Sequence, residues 1–321
     1  MNVLITGCAG FIGMHVTLAL LSRGVNVIGL DNLNAYYDPQ LKVDRLGFLE
    51  KFKNFNFIQE NVEDLEKIEN ALKDHKITKI LHFAGQAGVR YSIEKPEVYL
   101  ESNIRGFFNI LEFGKKNHIQ HIIYASSSSV YGLSDKKVFS EHDSVDQPLS
   151  FYAVTKRTNE LMAFYYSHAF SLRLTGLRFF TVYGPWGRPD MAPAIFTDSI
   201  LNKKPINIFN DGKMSRDFTY IDDVTKGVLK VFDYVHNEQD AMNEILNIGN
   251  GNPVGVLKFI DLIEANLGVK AICEFLPLQM GDVKDTHSNC AIISRKYGYN
   301  PKVSVNEGVK RYIDWFKSYY K

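Results

Sequence analysis

The chain has 321 residues, 45% hydrophobic and 23% charged, with 37 Lys and Arg against 36 Asp and Glu for a formal net charge of +1. This composition supports one large core or two smaller ones and excludes an intrinsically disordered chain. The balanced charge offers no global field for nucleic acid or an anionic membrane, so an anionic ligand must meet local cations.

No run approaches the roughly 20 apolar residues of a membrane helix. The N-terminus opens directly on a strand pattern rather than a charged leader, which points to a cytoplasmic protein. Cys8, Cys273 and Cys290 are an odd set without metal-ligand spacing, so neither a disulfide framework nor a metal site is expected.

In chain order, short apolar runs alternate with amphipathic stretches. Strands are predicted at 3–6, 25–30, 55–59, 80–83, 122–125 and 175–180, and helices at 16–21, 64–75, 98–118 and 151–168. Such alternation predicts an α/β fold, a doubly wound parallel sheet of about seven strands covered by helices. After Gly184 the pattern loosens around Pro185, Gly187, Pro189, Pro193, Pro205 and Gly212. Helices are predicted at 194–201, 222–234, 256–267 and 306–317. Residues 1–180 are read as a dinucleotide-binding domain and 181–321 as a smaller, mixed α/β substrate lobe, with some crossing of the chain between them around a cleft.

Three motifs carry chemistry. The run from Thr6 to Gly13 follows the first strand and opens a helix, where Gly7, Gly10 and Gly13 let the backbone approach a pyrophosphate at the helix N-terminus. Asp31, ending the second strand, can accept hydrogen bonds from the adenosine ribose. With Asn32 and Leu33 after it instead of an arginine, NAD is favoured over NADP. Tyr152 and Lys156, one helical turn apart, place a phenol beside an ammonium. A free phenol, with a pKa of about 10, is a poor base until a neighbouring cation favours its ionised form. Finally, Ser126 to Ser129 follow the predicted strand at 122–125, where hydroxyls at its carboxyl end face the ligand crevice of a parallel sheet.

With these motifs, and with His82 to Gly85, Asn103, Leu177 to Pro185 and Arg216 to Val224, essentially the whole chain resembles the extended short-chain dehydrogenase/reductases that epimerise or dehydrate nucleotide-sugars. Within that family, Tyr36 to Pro39, Gln86 to Ser92, Ala125 to Gly132 and Gly184 to Met191 are most similar to UDP-glucuronate 4-epimerases. The resemblance implies a Rossmann-type fold. It also implies NAD-dependent conversion of UDP-glucuronate to UDP-galacturonate through a transient 4-keto sugar, with epimerisation of neutral UDP-sugars as the alternative. By resemblance, Gly7, Gly10, Phe11, Ile12, Gly13, Asp31, Asn32, Asn61, Val62, Phe83, Ala84, Gly85 and Asn103 surround NAD, which Tyr152 and Lys156 also reach. Ser127, Tyr152 and Lys156 form the catalytic triad. Ser128, Ser129 and Thr181 receive the sugar carboxylate, while Arg90, Arg188, Arg216 and Asp282 meet the nucleotide and its phosphates.

The chain departs from the family pattern at Asn61, where an aspartate commonly reads the adenine amino group, at Gln279, where galactose-type epimerases carry arginine, and at Asn289. Where related dehydratases and decarboxylases carry an acid beside the catalytic hydroxyl, this chain has Ser128 and Ser129. The helices at 98–118 and 151–168 are apolar on more than one face, through Leu100, Ile104, Phe107, Phe108, Leu161, Met162, Phe164 and Tyr165. As the family implies, a second copy would cover them in a four-helix bundle.

Overall fold

The computed structural model describes residues 1–277 and 283–320, so Gln279 and Asp282 lie outside the described residues. The first half of the chain runs β1 (Asn2–Thr6), α1 (Phe11–Ser22), β2 (Asn26–Asp31), α2 (Gln40–Leu49), β3 (Phe55–Gln59), α3 (Leu65–Leu72) and β4 (Ile77–His82). It continues through the short α4 (Tyr91–Glu94) and α5 (Pro96–Tyr99), a π-helical segment Leu100–Arg105, α6 (Gly106–Lys116), β5 (His121–Ser127), α7 (Phe151–Phe170) and β6 (Leu174–Phe179). The second half adds β7 (Thr181–Tyr183), α8 (Ala192–Leu201), β8 (Pro205–Phe209), β9 (Ser215–Arg216), β10 (Phe218–Tyr220), α9 (Ile221–Asp233), β11 (Asn243–Ile248), β12 (Val254–Gly255), α10 (Val256–Leu267), β13 (Ile272–Leu276), α11 (Ala291–Tyr297) and α12 (Val305–Tyr320).

Seven strands form one sheet in the order β11-β6-β5-β4-β1-β2-β3, and every pairing is parallel. The expected doubly wound sheet is therefore present, with β7 to β10, β12 and β13 in three two-stranded sheets beside it, paired β7-β10, β9-β12 and β8-β13. The strands carry continuous β-branched and leucine runs because both faces are covered. Along β1, Val3 and Ile5 enter the core cluster shared with α1, α9 and α10, whereas Leu4 enters the one shared with α3, α6 and α7. The chain reverses direction across the sheet between β1 and β4, which opens a crevice at the carboxyl ends of the strands, where α/β folds bind ligands.

Six of the seven strands were expected. The seventh, β11, comes from the second half of the chain and adds to β6 from Asn243 opposite Leu174 to Ile248 opposite Phe179. Helix α2 was not expected. Nor is 98–118 one regular helix, because Leu100–Arg105 widens to a π-helix before α6 resumes at Gly106. Within this segment the Asn103 carbonyl accepts the Asn159 side-chain amide at 2.8 Å. Gly106 lies against Val62, whose Cγ2 would stand 2.6 Å from any Cβ there. Phe107, Ile110, Leu111 and Phe113 turn into the core, while Leu100, Phe108, Leu161, Phe164 and Tyr165 remain exposed.

Candidate active site

A cavity of about 710 Å³ occupies the crevice. The glycine loop forms one end. Gly7 adopts φ of 72°, and a Cβ there would stand 2.6 Å from the Ala84 amide nitrogen, so the loop touches the segment after β4. A Cβ at Gly13 would collide with the Gly7 carbonyl oxygen. The first turn of α1 has no side-chain cap and lines the cavity through Phe11, Ile12 and Gly13, leaving a phosphate-sized cradle at a helix N-terminus. Asp31 closes this end. Its carboxylate accepts the Ala9 amide at 3.1 Å and the Leu33 amide at 2.9 Å, and the remaining lone pairs of an ionised carboxylate can still serve a ribose. The Asn61 side-chain oxygen accepts the Asn32 side-chain amide at 2.8 Å.

The other end holds the titratable pair. Ser150 caps α7 by accepting the Ala153 amide at 3.1 Å, so Tyr152 stands in its first turn with Lys156 one turn on. The Lys156 ammonium donates to the Ala125 carbonyl at 2.9 Å and lies 5.9 Å from the centre of the Tyr152 ring. Burial lowers the Lys156 pKa to about 8. Burial raises that of Tyr152, while the Ser127 hydroxyl and the Arg188 charge pull it back down. Ser127 Oγ accepts the Ser129 amide at 3.2 Å and the Ser129 hydroxyl at 2.9 Å, so the serines form a connected row. Behind them His82 bonds the Thr6 hydroxyl through Nδ1 at 2.7 Å, and burial, helped by Lys156, pushes its pKa down to about 3, which keeps it uncharged.

Arg188 makes a two-pronged ion pair with Asp190, at 2.9 Å and 2.6 Å, and the Tyr36 hydroxyl donates to the same carboxylate at 2.9 Å. Arg216 donates to the carbonyls of Ser215 at 2.9 Å and Lys284 at 3.0 Å. Of the sites expected from sequence, Asn32, Asn61, Val62, Phe83, Ala84, Gly85, Ser127, Ser128, Ser129, Tyr152, Lys156, Thr181, Arg188 and Arg216 share this cavity with the glycine loop and Asp31. Asn103 stands behind the wall. Its amide oxygen accepts the Gln86 amide at 2.7 Å, and its amide nitrogen donates to Gln86 O and to Thr155 Oγ1, both at 3.0 Å. Arg90 is absent from the lining among the described residues, and its guanidinium lies 4.9 Å from the centre of the Phe209 ring. The sequence reading assigned no role to Tyr36, Arg45, Thr155 or Asp190. The motifs Tyr36 to Pro39, Tyr152 to Lys156 and Gly184 to Met191 contain Tyr36, Thr155 and Asp190, but nothing in them names a partner, and Arg45 lies in none of them.

The family described as "NAD dependent epimerase/dehydratase family" matches residues 3–249. The chain belongs to this family. A relative named UDP-glucuronate 4-epimerase 4, from Arabidopsis thaliana, is 46% identical over 332 residues, covering 99% of this chain and 76% of the relative. The crystal structure of UDP-glucuronic acid 4-epimerase from Bacillus cereus with UDP-glucuronic acid and NAD is 35% identical, with a TM-score of 0.90 and 99% of each chain covered. That of UDP-glucose 4-epimerase from Thermotoga maritima with UDP-glucose is 30% identical, with a TM-score of 0.89 and 100% of each chain covered. The glycine cradle and Asp31 fit the NAD on which this family depends. No helix among the described residues is long and apolar enough to cross a membrane.

Lowering the Lys156 pKa from 10.5 to about 8 costs the folded state about 3 kcal/mol while the lysine is charged. The folded state binds its proton less tightly than the unfolded state, so the cost is full below pH 8 and fades as pH rises toward 10.5. Lys156→Met should therefore melt above the wild type at pH 7, with the gap closing through that window, as thermal denaturation at a series of pH values would show.

Proposed function

We propose that this NAD-dependent nucleotide-sugar epimerase inverts C4 of UDP-glucuronate to give UDP-galacturonate. The observation that carries the substrate is the character of the wall around Tyr152. Ser127, Ser128, Ser129, Thr181 and Arg188 line it, whereas Asp31, Glu60 and Glu63, the acids of the cavity lining among the described residues, lie at the end of β2 and in the segment between β3 and α3. A sugar carboxylate meets donors and a cation there, and the nearby Asp190 carboxylate is outside the lining and neutralised by its pair with Arg188.

In this reading the Tyr152 phenolate takes the proton of the 4-hydroxyl, and Ser127 shares the hydrogen bond through which the phenol is held. NAD, when bound, would supply a reversible acceptor for the C4 hydride, and the Tyr152 phenol gives its proton back to the 4-oxygen when the hydride returns to the opposite face of the sugar. Lys156 and Arg188 place positive charge near the phenol, which favours its ionised form. The residues of the wall orient the sugar and exclude water while the keto sugar turns over. A 4-keto glucuronate is a β-keto acid and loses carbon dioxide when its carboxylate aligns with the carbonyl, and hydrogen bonds from Ser128, Ser129 and Thr181 hold that group out of alignment.

Incubation with NAD and UDP-glucuronate, UDP-glucose or UDP-N-acetylglucosamine, followed by proton NMR, should yield UDP-galacturonate without pentose products. Turnover of the neutral sugars alone would overturn the substrate. Ser127→Ala should lower kcat by about a hundredfold. Because the lost hydrogen bond was holding the phenol pKa down, the acid limb of the pH profile should move to higher pH. An unmoved limb would remove Ser127 from proton control.

We propose further that two copies pair through the exposed apolar face of α6 and α7, where Phe164 is 63% and Leu161 54% exposed. Light scattering should find a dimer in the wild type and a monomer in Phe164→Glu, and a monomeric wild type would sink the proposal.

A further inference from the structure

Arg45, on α2, is fully buried at 0% exposure. Among the described residues its guanidinium meets neutral acceptors only. Nη1 donates to the Ala9 carbonyl at 3.1 Å and to the Tyr37 hydroxyl at 2.7 Å. Nε and Nη2 donate to the Trp186 carbonyl at 3.1 Å and 2.7 Å, and Nη2 reaches the Gly187 carbonyl at 3.4 Å. Burying a cation without a carboxylate is costly, and an apolar side chain of similar volume would often serve stability equally well or better. What the guanidinium supplies instead is a bridge. Ala9 belongs to the glycine loop, with its amide on Asp31, and Trp186 and Gly187 immediately precede Arg188. Trp186 has φ of 64°, a conformation unfavourable for a bulky side chain, so its surroundings must hold that turn in place. On its other side the same loop is gripped from the Tyr36 segment, through the bond from the Tyr36 hydroxyl to Asp190.

We infer that Arg45 is a positioning residue that ties the loop carrying Arg188 to the glycine loop, so that occupancy of one loop strengthens binding at the other. This rests on the reading of those loops as the nucleotide-sugar and NAD sites. A fixed Arg188 loop meets its anion without first being ordered, and the cofactor's contacts with the glycine loop fix the far end of the same bridge.

The test is UDP affinity by titration calorimetry, on protein saturated with NAD and on protein freed of it. The wild type should bind UDP about tenfold more tightly when NAD is present. In Arg45→Met that ratio should fall to one, with the melting temperature near or above that of the wild type and KM raised more than kcat is lowered. Arg45→Lys, which keeps the charge but reaches fewer carbonyls, should recover part of the ratio and decides the matter should the methionine variant not fold. A variant of either kind with the full wild-type ratio, or a wild-type ratio of one, would overturn the inference alone. A wild type that holds NAD but no UDP would overturn the functional reading and this inference together.

Discussion

The burial of the Lys156 ammonium is the constraint around which the rest of the site is arranged. Among the described residues its acceptor is a single backbone oxygen, that of Ala125, so the charge is poorly solvated and α7 must be held hard against β5 for the contact to survive. A buried ion pair does this one turn further along the helix. Glu160 accepts Arg178 of β6 through Nε and Nη2, both at 2.8 Å, and the Ser126 hydroxyl at 2.6 Å. With Arg157 Nη1 at 3.3 Å as a fourth donor, both carboxylate oxygens are satisfied, which helps the buried pair offset its own desolvation. Ser126 directly precedes Ser127, so the pair that anchors the helix also sets the strand end from which the serine row begins.

The π-helical widening at Leu100–Arg105 belongs to the same arrangement. A π-turn shifts the side chains that follow it relative to a regular α-helix, and in a regular helix the Asn103 side chain would lose its present direction. Here Asn103 bonds outward through both its side chain and its carbonyl. Its side chain fastens the loop after β4 to Thr155, and its carbonyl fastens the segment to Asn159, two residues that flank Lys156 on α7. The loop that touches the glycine cradle and the helix that carries the phenol are thus joined through one amide, at the cost of regular helix geometry.

Sequence periodicity is enough to recover the parallel sheet, because strands buried on both faces are written as unbroken apolar runs. Residues such as Gly7, Asp31, Tyr152 and Lys156 are legible because their spacing alone states a geometry. β11 is not, since Asn243-Glu244-Ile245-Leu246-Asn247-Ile248 mixes polar residues that pair with side chains elsewhere: Glu244 with Lys296, and Asn247 with Tyr131 at 2.6 Å. Nor is the π-helix, whose composition is that of an ordinary helix. Asn103 and Arg45 show the general reason, for their partners lie far away in sequence and no local pattern records a contact with Thr155 or Trp186.

The arrangement of charge along the cavity bears on how one site can serve two anionic groups without confusing them. At the glycine end the anion meets backbone dipoles and the edge of a carboxylate, Asp31, which suits a phosphate next to a ribose but repels a second free acid. At the Tyr152 end it meets hydroxyls and Arg188, whose charge is already shared with Asp190. A guanidinium so paired is a weaker electrostatic attractor than a free one but a better located one, because Asp190 fixes its plane. On the proposed reading this favours recognition by direction over attraction by charge, which is what a site must do if a carboxylate is to be held at a fixed angle to a carbonyl formed beside it.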